Sequence, residues 1–121
     1  MTAAVYRMHV EQGATFALAV TLTDENGDAV DLTGYSGRGQ IRSATGAAMA
    51  SFTVTVTDAP AGEVSITLPA SALVGSQYIT GVAYNDYTTA YYDIELYTAA
   101  DASVLRILNG VCRISPEATH P

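Results

Sequence analysis

Three features of the sequence predict an all-β chain, an antiparallel sandwich of two sheets with one short helical turn. Apolar residues recur with a period of two, threonine, valine and tyrosine fill those runs, and turn residues return at roughly ten-residue intervals. No window of about a dozen residues keeps a helical period. With 121 residues, 49% of them hydrophobic, the chain suffices for one core and not for two, so 1–121 is read as a single domain.

Taken in order, Tyr6-Arg7-Met8-His9-Val10 reads as an edge strand with His9 exposed. Residues 15–23 alternate strictly, Phe16, Leu18, Val20 and Leu22 against Thr15, Ala17, Ala19, Thr21 and Thr23, which predicts a half-buried strand. Asn26-Gly27 then predicts a hairpin turn, because both residues tolerate φ > 0. The surrounding Asp24-Glu25-Asn26-Gly27-Asp28 alternates oxygen side chains as calcium loops do. Its glycine, however, falls at the fourth position instead of the sixth, and Tyr35 stands where the bidentate acid belongs, so a turn is favoured over a cation site.

Residues 30–35 read as a short extended piece bent at Gly34, Gly39-Gln40-Ile41-Arg42 as a third strand, and 43–50 as a loop. Phe52, Val54 and Val56 alternate with threonines, as do Val64, Ile66 and Leu68 with polar residues, and the turn Asp58-Ala59-Pro60-Ala61-Gly62 joins the two runs into a hairpin. Pro69-Ala70-Ser71-Ala72-Leu73 starts with a proline suited to a first helical position and predicts one helical turn ending at Gly75. Residues 79–84 read as a weaker strand or an extended loop. Residues 91–98 form a strand with Tyr92, Ile94 and Leu96 on one face and Tyr91, Asp93, Glu95 and Tyr97 on the other. After a turn at 99–102, the last strand, 104–114, carries a bulge at Asn109-Gly110 that brings Cys112 and Ile114 into phase with the core, and Ser115-Pro116 stops it. Residues 1–4 and 117–121 are expected to be flexible.

Composition excludes several functions. Twelve acids against five arginines and no lysine give a net charge of −7, which disfavours nucleic acid and anionic membrane surfaces as partners. No apolar run approaches the ~20 residues of a spanning helix, and residues 1–10 lack a secretory h-region, so a soluble, unexported protein is expected. A lone cysteine, Cys112, rules out an internal disulfide and a Cys-cluster zinc site; in its apolar strand it reads as a buried hydrophobe. The only histidines are His9 and His120, and no nucleophile elbow, metalloprotease, phosphate-loop or dinucleotide signature occurs. Asp93 and Glu95 share one side of a strand as a glycosidase pair could, but the solvated strand face is the stronger reading. No catalytic residue, metal or cofactor is expected.

Tyrosine is the distinctive feature. Tyr78, Tyr84, Tyr87, Tyr91 and Tyr97 are the candidate interface residues, because a rigid apolar ring with a polar tip suits protein contacts. A sugar-stacking platform is the weaker alternative. An all-arginine basic set fits interface use, since arginine keeps its charge and fork geometry when desolvated. Edge strands without lysine invite pairing with another chain, so self-association or a partner is expected.

The order of segments also resembles a known family. Val10-Glu11-Gln12-Gly13-Ala14-Thr15-Phe16, then Asp31-Leu32-Thr33-Gly34-Tyr35 and Gln40-Ile41-Arg42, resembles the opening of small virion proteins of tailed bacteriophages. Tyr92-Asp93-Ile94-Glu95-Leu96, Leu108-Asn109-Gly110-Val111 and Ile114-Ser115-Pro116-Glu117 continue the likeness over nearly the whole chain. The chain is similar to the immunoglobulin-like N-terminal domain of phage baseplate upper proteins. It differs in a longer tyrosine-rich stretch, residues 77–90, read as a specialised contact loop. The resemblance implies an immunoglobulin-like β-sandwich and a non-enzymatic virion protein, present in several copies, that docks to other tail, baseplate or neck proteins. A capsid decoration, cement or head-fibre protein and a carbohydrate-binding host-adhesion module are the alternatives.

Overall fold

The computed structural model describes residues 3–83 and 85–117. Eight strands are present: β1 (Ala4–Val5), β2 (Met8–Glu11), β3 (Phe16–Thr21), β4 (Ser36–Ser43), β5 (Ala48–Asp58), β6 (Glu63–Leu68), β7 (Thr88–Tyr97) and β8 (Val104–Ser115). One 3-10 turn, Ala99–Asp101, joins the last two. The chain is therefore all-β, as its alternating pattern predicts.

The strands run β1-β8-β7-β4-β5-β6-β3 in a single sheet curled into a half-barrel, with β2 following β1 along β8. The curl depends on β5, the shared strand. Its first half pairs with β4 through Gly39↔Phe52 to Arg42↔Ala48, and its second half pairs with β6 from Thr53↔Thr67 onward. The inward residues of both portions seal one core: Ile41, Phe52, Val54, Val64, Ile66, Leu68, Tyr92, Ile94, Leu96, Cys112 and Ile114 are all buried. Leu32 and Leu73, from connections at opposite ends, also reach it.

In four places the structure departs from the expected elements. The sheet is mixed, because β1 and β2 run parallel to β8 (Ala4↔Leu108, Met8↔Cys112). This pairing buries Met8 and Val10 completely and is a contact between the chain's two ends, with no local signature. Pro69 to Ser76 makes three overlapping tight turns (Ala72 N–H to Pro69 O, 3.0 Å; Val74 N–H to Ser71 O, 3.3 Å; Ser76 N–H to Leu73 O, 3.2 Å) whose bonds are not consecutive, in place of a helical turn, and Gly75 adopts φ +76° in the last of them. Helical hydrogen bonding occurs instead at Ala99–Asp101, where Ala100 and Asp101 adopt φ of 57° and 54°.

The bulge in β8 lies at Ile107, not at Asn109-Gly110: Ile94 pairs with Leu108 while Glu95 pairs with Arg106. Gly110 has another use. At φ +148° it lets the Tyr6 carbonyl approach so closely that a Cβ would lie 2.7 Å from it. That carbonyl accepts the Tyr92 hydroxyl at 2.6 Å, and the Tyr6 N–H donates to Asn109 O, which ties the first strand to the last two.

Elsewhere the expected and observed elements agree closely. The loop at 43–50 shortens to a turn, because Ala47 N–H donates to Ser43 Oγ and Ser43 N–H to Ala47 O, and β5 starts at Ala48. The turn at Asn26-Gly27 is present, with Gly27 alone at positive φ (+83°) and Asp24 Oδ1 accepting from the N–H groups of Asn26 and Asp28. Residues 79–83 form no strand, and turn bonds border them at Ile79 N–H to Ser76 O and Asp86 N–H to Ala83 O. Ala4 pairs in β1 and Glu117 N–H donates to Gln12 Oε1, while the rest of the segments expected to be flexible lies mostly outside the described residues. No helix of the described residues is long and apolar enough to cross a membrane.

Candidate interaction face

Strands β4, β7 and β8 lie side by side, and the side chains they turn away from the core form an outward platform. Cross-strand register sets its rows. Ser36, Tyr97 and Val104 form the lowest, Arg38, Glu95 and Arg106 the next, then Gln40, Asp93 and Asn109, then Arg42, Tyr91 and Val111. Above them Thr89 pairs with Arg113, which pairs with His9 of β2. Directly opposed residues on such rows have Cβ atoms ~5 Å apart, so each row is a contact.

The bulge decides the composition of this face. Arg106 and Arg113 are separated by an odd number of positions, which in an uninterrupted strand would send them to opposite sides. One extra residue at Ile107 reverses the phase, so Arg106 and Arg113 both point outward while Ile107 and Leu108 are both buried.

The lower half of the platform is an ion lattice. Arg38 Nε donates to Glu95 Oε1 at 2.9 Å and Nη1 to Asp101 Oδ1 at 3.3 Å, and its guanidinium stacks 4.5 Å from the Tyr97 ring centroid. The hydrogen bond to Glu95 raises the Arg38 pKa further above its ordinary value. Arg106 approaches Asp93 Oδ2 at 3.6 Å and Glu95 Oε2 at 4.0 Å. The two carboxylates that share one side of β7 are thus both committed to arginines.

The upper half differs. Arg42 donates to Gln40 Oε1 at 2.8 Å and to the Gly46 carbonyl at 2.9 Å, both uncharged acceptors. Arg113 lies 5.7 Å over the Tyr87 ring, whose centroid is 5.2 Å from His9 in an edge-on contact. Between these arginines Tyr91 is 51% exposed, and it borders a hollow of about 160 Å³ shared with Gln40, Arg42 and Asp93.

Of the five candidate tyrosines, the structure brings Tyr87, Tyr91 and Tyr97 to this face. Tyr78 is half-buried in the connection after β6, beside Ala48 and Met49, and does not join them. Tyr84 lies outside the described residues. The all-arginine basic set suited an interface by composition, but composition does not place those arginines on one face. The alternation of Arg38, Gln40 and Arg42 was available as a signal, but their partners on β7 and β8 depend on register and on the bulge.

Cys112 is fully buried, and burial pushes its thiol up to about 12. Among the described residues no group of three or more His, Cys, Asp or Glu gathers as a metal site, and no buried side-chain polar atom lacks a hydrogen-bond partner. No known protein-family profile matches the chain, and no curated protein is significantly similar to it.

Proposed function

We propose that the chain is a non-enzymatic structural protein of a tailed-bacteriophage virion, an immunoglobulin-like docking module that attaches to other tail, baseplate or neck proteins. The observation that carries the reading is the three-stranded face that brings four arginines together with outward Tyr87, Tyr91 and Tyr97, because arginine and tyrosine anchor protein interfaces. The strand order supports the immunoglobulin-like part. The second half of β5, β6 and β3 stand as one sheet of such a domain, β4, β7 and β8 as the other, and the bent β5 joins them. The resemblance to phage virion proteins points to the particle as its location.

Two observations weigh against the competing classes. Asp93 and Glu95 already pair with Arg38 and Arg106 on a partly exposed strand face, the arrangement of a structural ion network. Tyr97 has one ring face under Arg38, and Tyr87 is flanked by Arg113 and His9, so among the described tyrosines of this face Tyr91 alone offers an unstacked ring, a poor platform for a chain of sugars.

Antibody labelling of purified, washed phage particles that encode the chain tests the proposal. Label at a few fixed positions on the tail, baseplate or neck is the expected result. Dense label over the shell would reassign the module to capsid decoration, and particles free of the chain would overturn the virion role.

A further inference from the structure

The charge of the molecule is unevenly divided. All its arginines except Arg7 project from the β4–β7–β8 platform. At the end of the sheet where β3 and β5 finish, two adjoining turns carry Asp24, Glu25, Asp28, Asp31, Asp58 and Glu63, all exposed. Hydrogen bonds from Leu22 N–H to Gly62 O and from Leu32 N–H to Ala59 O, both 2.8 Å, hold these turns together. Every ion pair among the described residues uses Asp93, Glu95 or Asp101, so this acidic end meets no cation.

The platform has the complementary surplus. Its lower arginines are neutralised within the ion lattice, whereas Arg42 and Arg113, on either side of exposed Tyr91, have no carboxylate within 4.0 Å among the described residues. Two acids border this half: Asp93, in the hollow beside Tyr91 and 3.6 Å from Arg106, and Glu11, on the neighbouring β2 beyond His9. The tip at 24–28 is a narrow turn made rigid by Asp24 Oδ1, which accepts two backbone N–H groups and leaves Glu25 and Asp28 free to project.

We infer that copies of this chain assemble head to tail, the acidic 24–28 tip of one copy seating beside Tyr91 between Arg42 and Arg113 of the next. The inference rests on the docking reading of the same face and names its occupant as a second copy. Such a contact joins two different surfaces, so it propagates into a ring or an open chain and not a closed two-fold dimer. At physiological ionic strength the screening length is about 8 Å, so contact-range pairs act while repulsion between net-negative bodies is damped.

Sedimentation of the full chain at rising concentration, in about 0.15 M salt, tests this against two variants. One carries Arg42→Ala and Arg113→Ala, the other Glu25→Gln and Asp28→Asn; all four positions are exposed, and circular dichroism checks that both fold. Wild type is expected to exceed the 12.6 kDa of one chain, and each variant alone to stay at that mass. An equimolar mixture of the variants keeps one intact tip and one intact socket, so it should give pairs and nothing larger. Monomeric wild type, variants that associate as wild type does, or a mixture that remains at one-chain mass would each overturn the contact. Particles that carry the label while the free chain stays monomeric would remove this contact and leave the docking role standing; association of a chain absent from particles would do the reverse.

Discussion

Replacing Tyr92 by Phe removes one oxygen from the core, the one that donates to the Tyr6 carbonyl at 2.6 Å. Tyr92 is 4% exposed while Tyr6 is 43% exposed, so the bond is part-buried and its loss costs about 0.5 to 1.5 kcal/mol. Tyr92→Ala also removes the ring that packs edge-on against Phe52, and large-to-small changes of buried aromatics cost about 3 to 5 kcal/mol. Tyr91, the next residue, is 51% exposed on the other face, so Tyr91→Ala should shift stability by no more than about 0.5 kcal/mol. Urea unfolding resolves these values, since a slope of ~2 kcal/mol per molar turns the Tyr92→Ala loss into a midpoint change of roughly 2 M. If Tyr91→Ala cost as much as Tyr92→Ala, the assignment of β7's two faces would be refuted.

Other predictions follow the same geometry. Ile66, fully buried, should lose about 2 to 5 kcal/mol on change to Ala; its cross-strand partner Leu18, half-buried on the outermost strand, should lose less, and Thr21→Ser on the outer face almost nothing, a ranking read from denaturation midpoints. Gly110→Ala forces a left-handed φ and a contact with the Tyr6 carbonyl, and should cost about 1 to 3 kcal/mol in thermal or urea unfolding. Burial raises the Cys112 thiol from 9.0 and the Tyr92 phenol from 10.0, each to about 12, so the unfolded chain releases protons first as pH rises. Their contribution is intact below about pH 9 and is lost between pH 9 and 12; midpoints that stay level or rise across that window would contradict it.

The short-range periodicities were legible because a period of two is written in adjacent residues. Phe16, Leu18 and Val20 face inward as their spacing predicts, and Tyr92, Ile94 and Leu96 separate cleanly from Tyr91, Asp93 and Glu95. The burial of β3 was less legible: its inward residues are only half-covered, because β3 is the last strand of the sheet and has one neighbour. Sheet order is a property of distant segments, and alternation does not encode it.

The same limit explains the misplaced bulge and the parallel first strand. Asn109-Gly110 has the composition of an irregular strand, yet Gly110 serves the close approach of Tyr6, while the extra residue is Ile107, an aliphatic with no turn chemistry. Pro69 suits a helix start, but the residues after it are drawn into overlapping turns, without consecutive helical bonds, that deliver Leu73 to the core. For the candidate face, phase alone found Tyr91 and Tyr97. The division into a neutralised lower half and a cationic upper half needed the register of three strands.

Photo-crosslinking in the assembled particle tests the central claim that this face meets a neighbouring chain. Tyr91→p-benzoylphenylalanine would place the probe on the platform, and Thr55→p-benzoylphenylalanine would place it on the exposed outer side of β5, in mid-sheet opposite Ser65. A covalent adduct to a neighbouring chain is expected from position 91 and none from position 55. Adducts from position 55 alone, or equal yields from both, would contradict the claim.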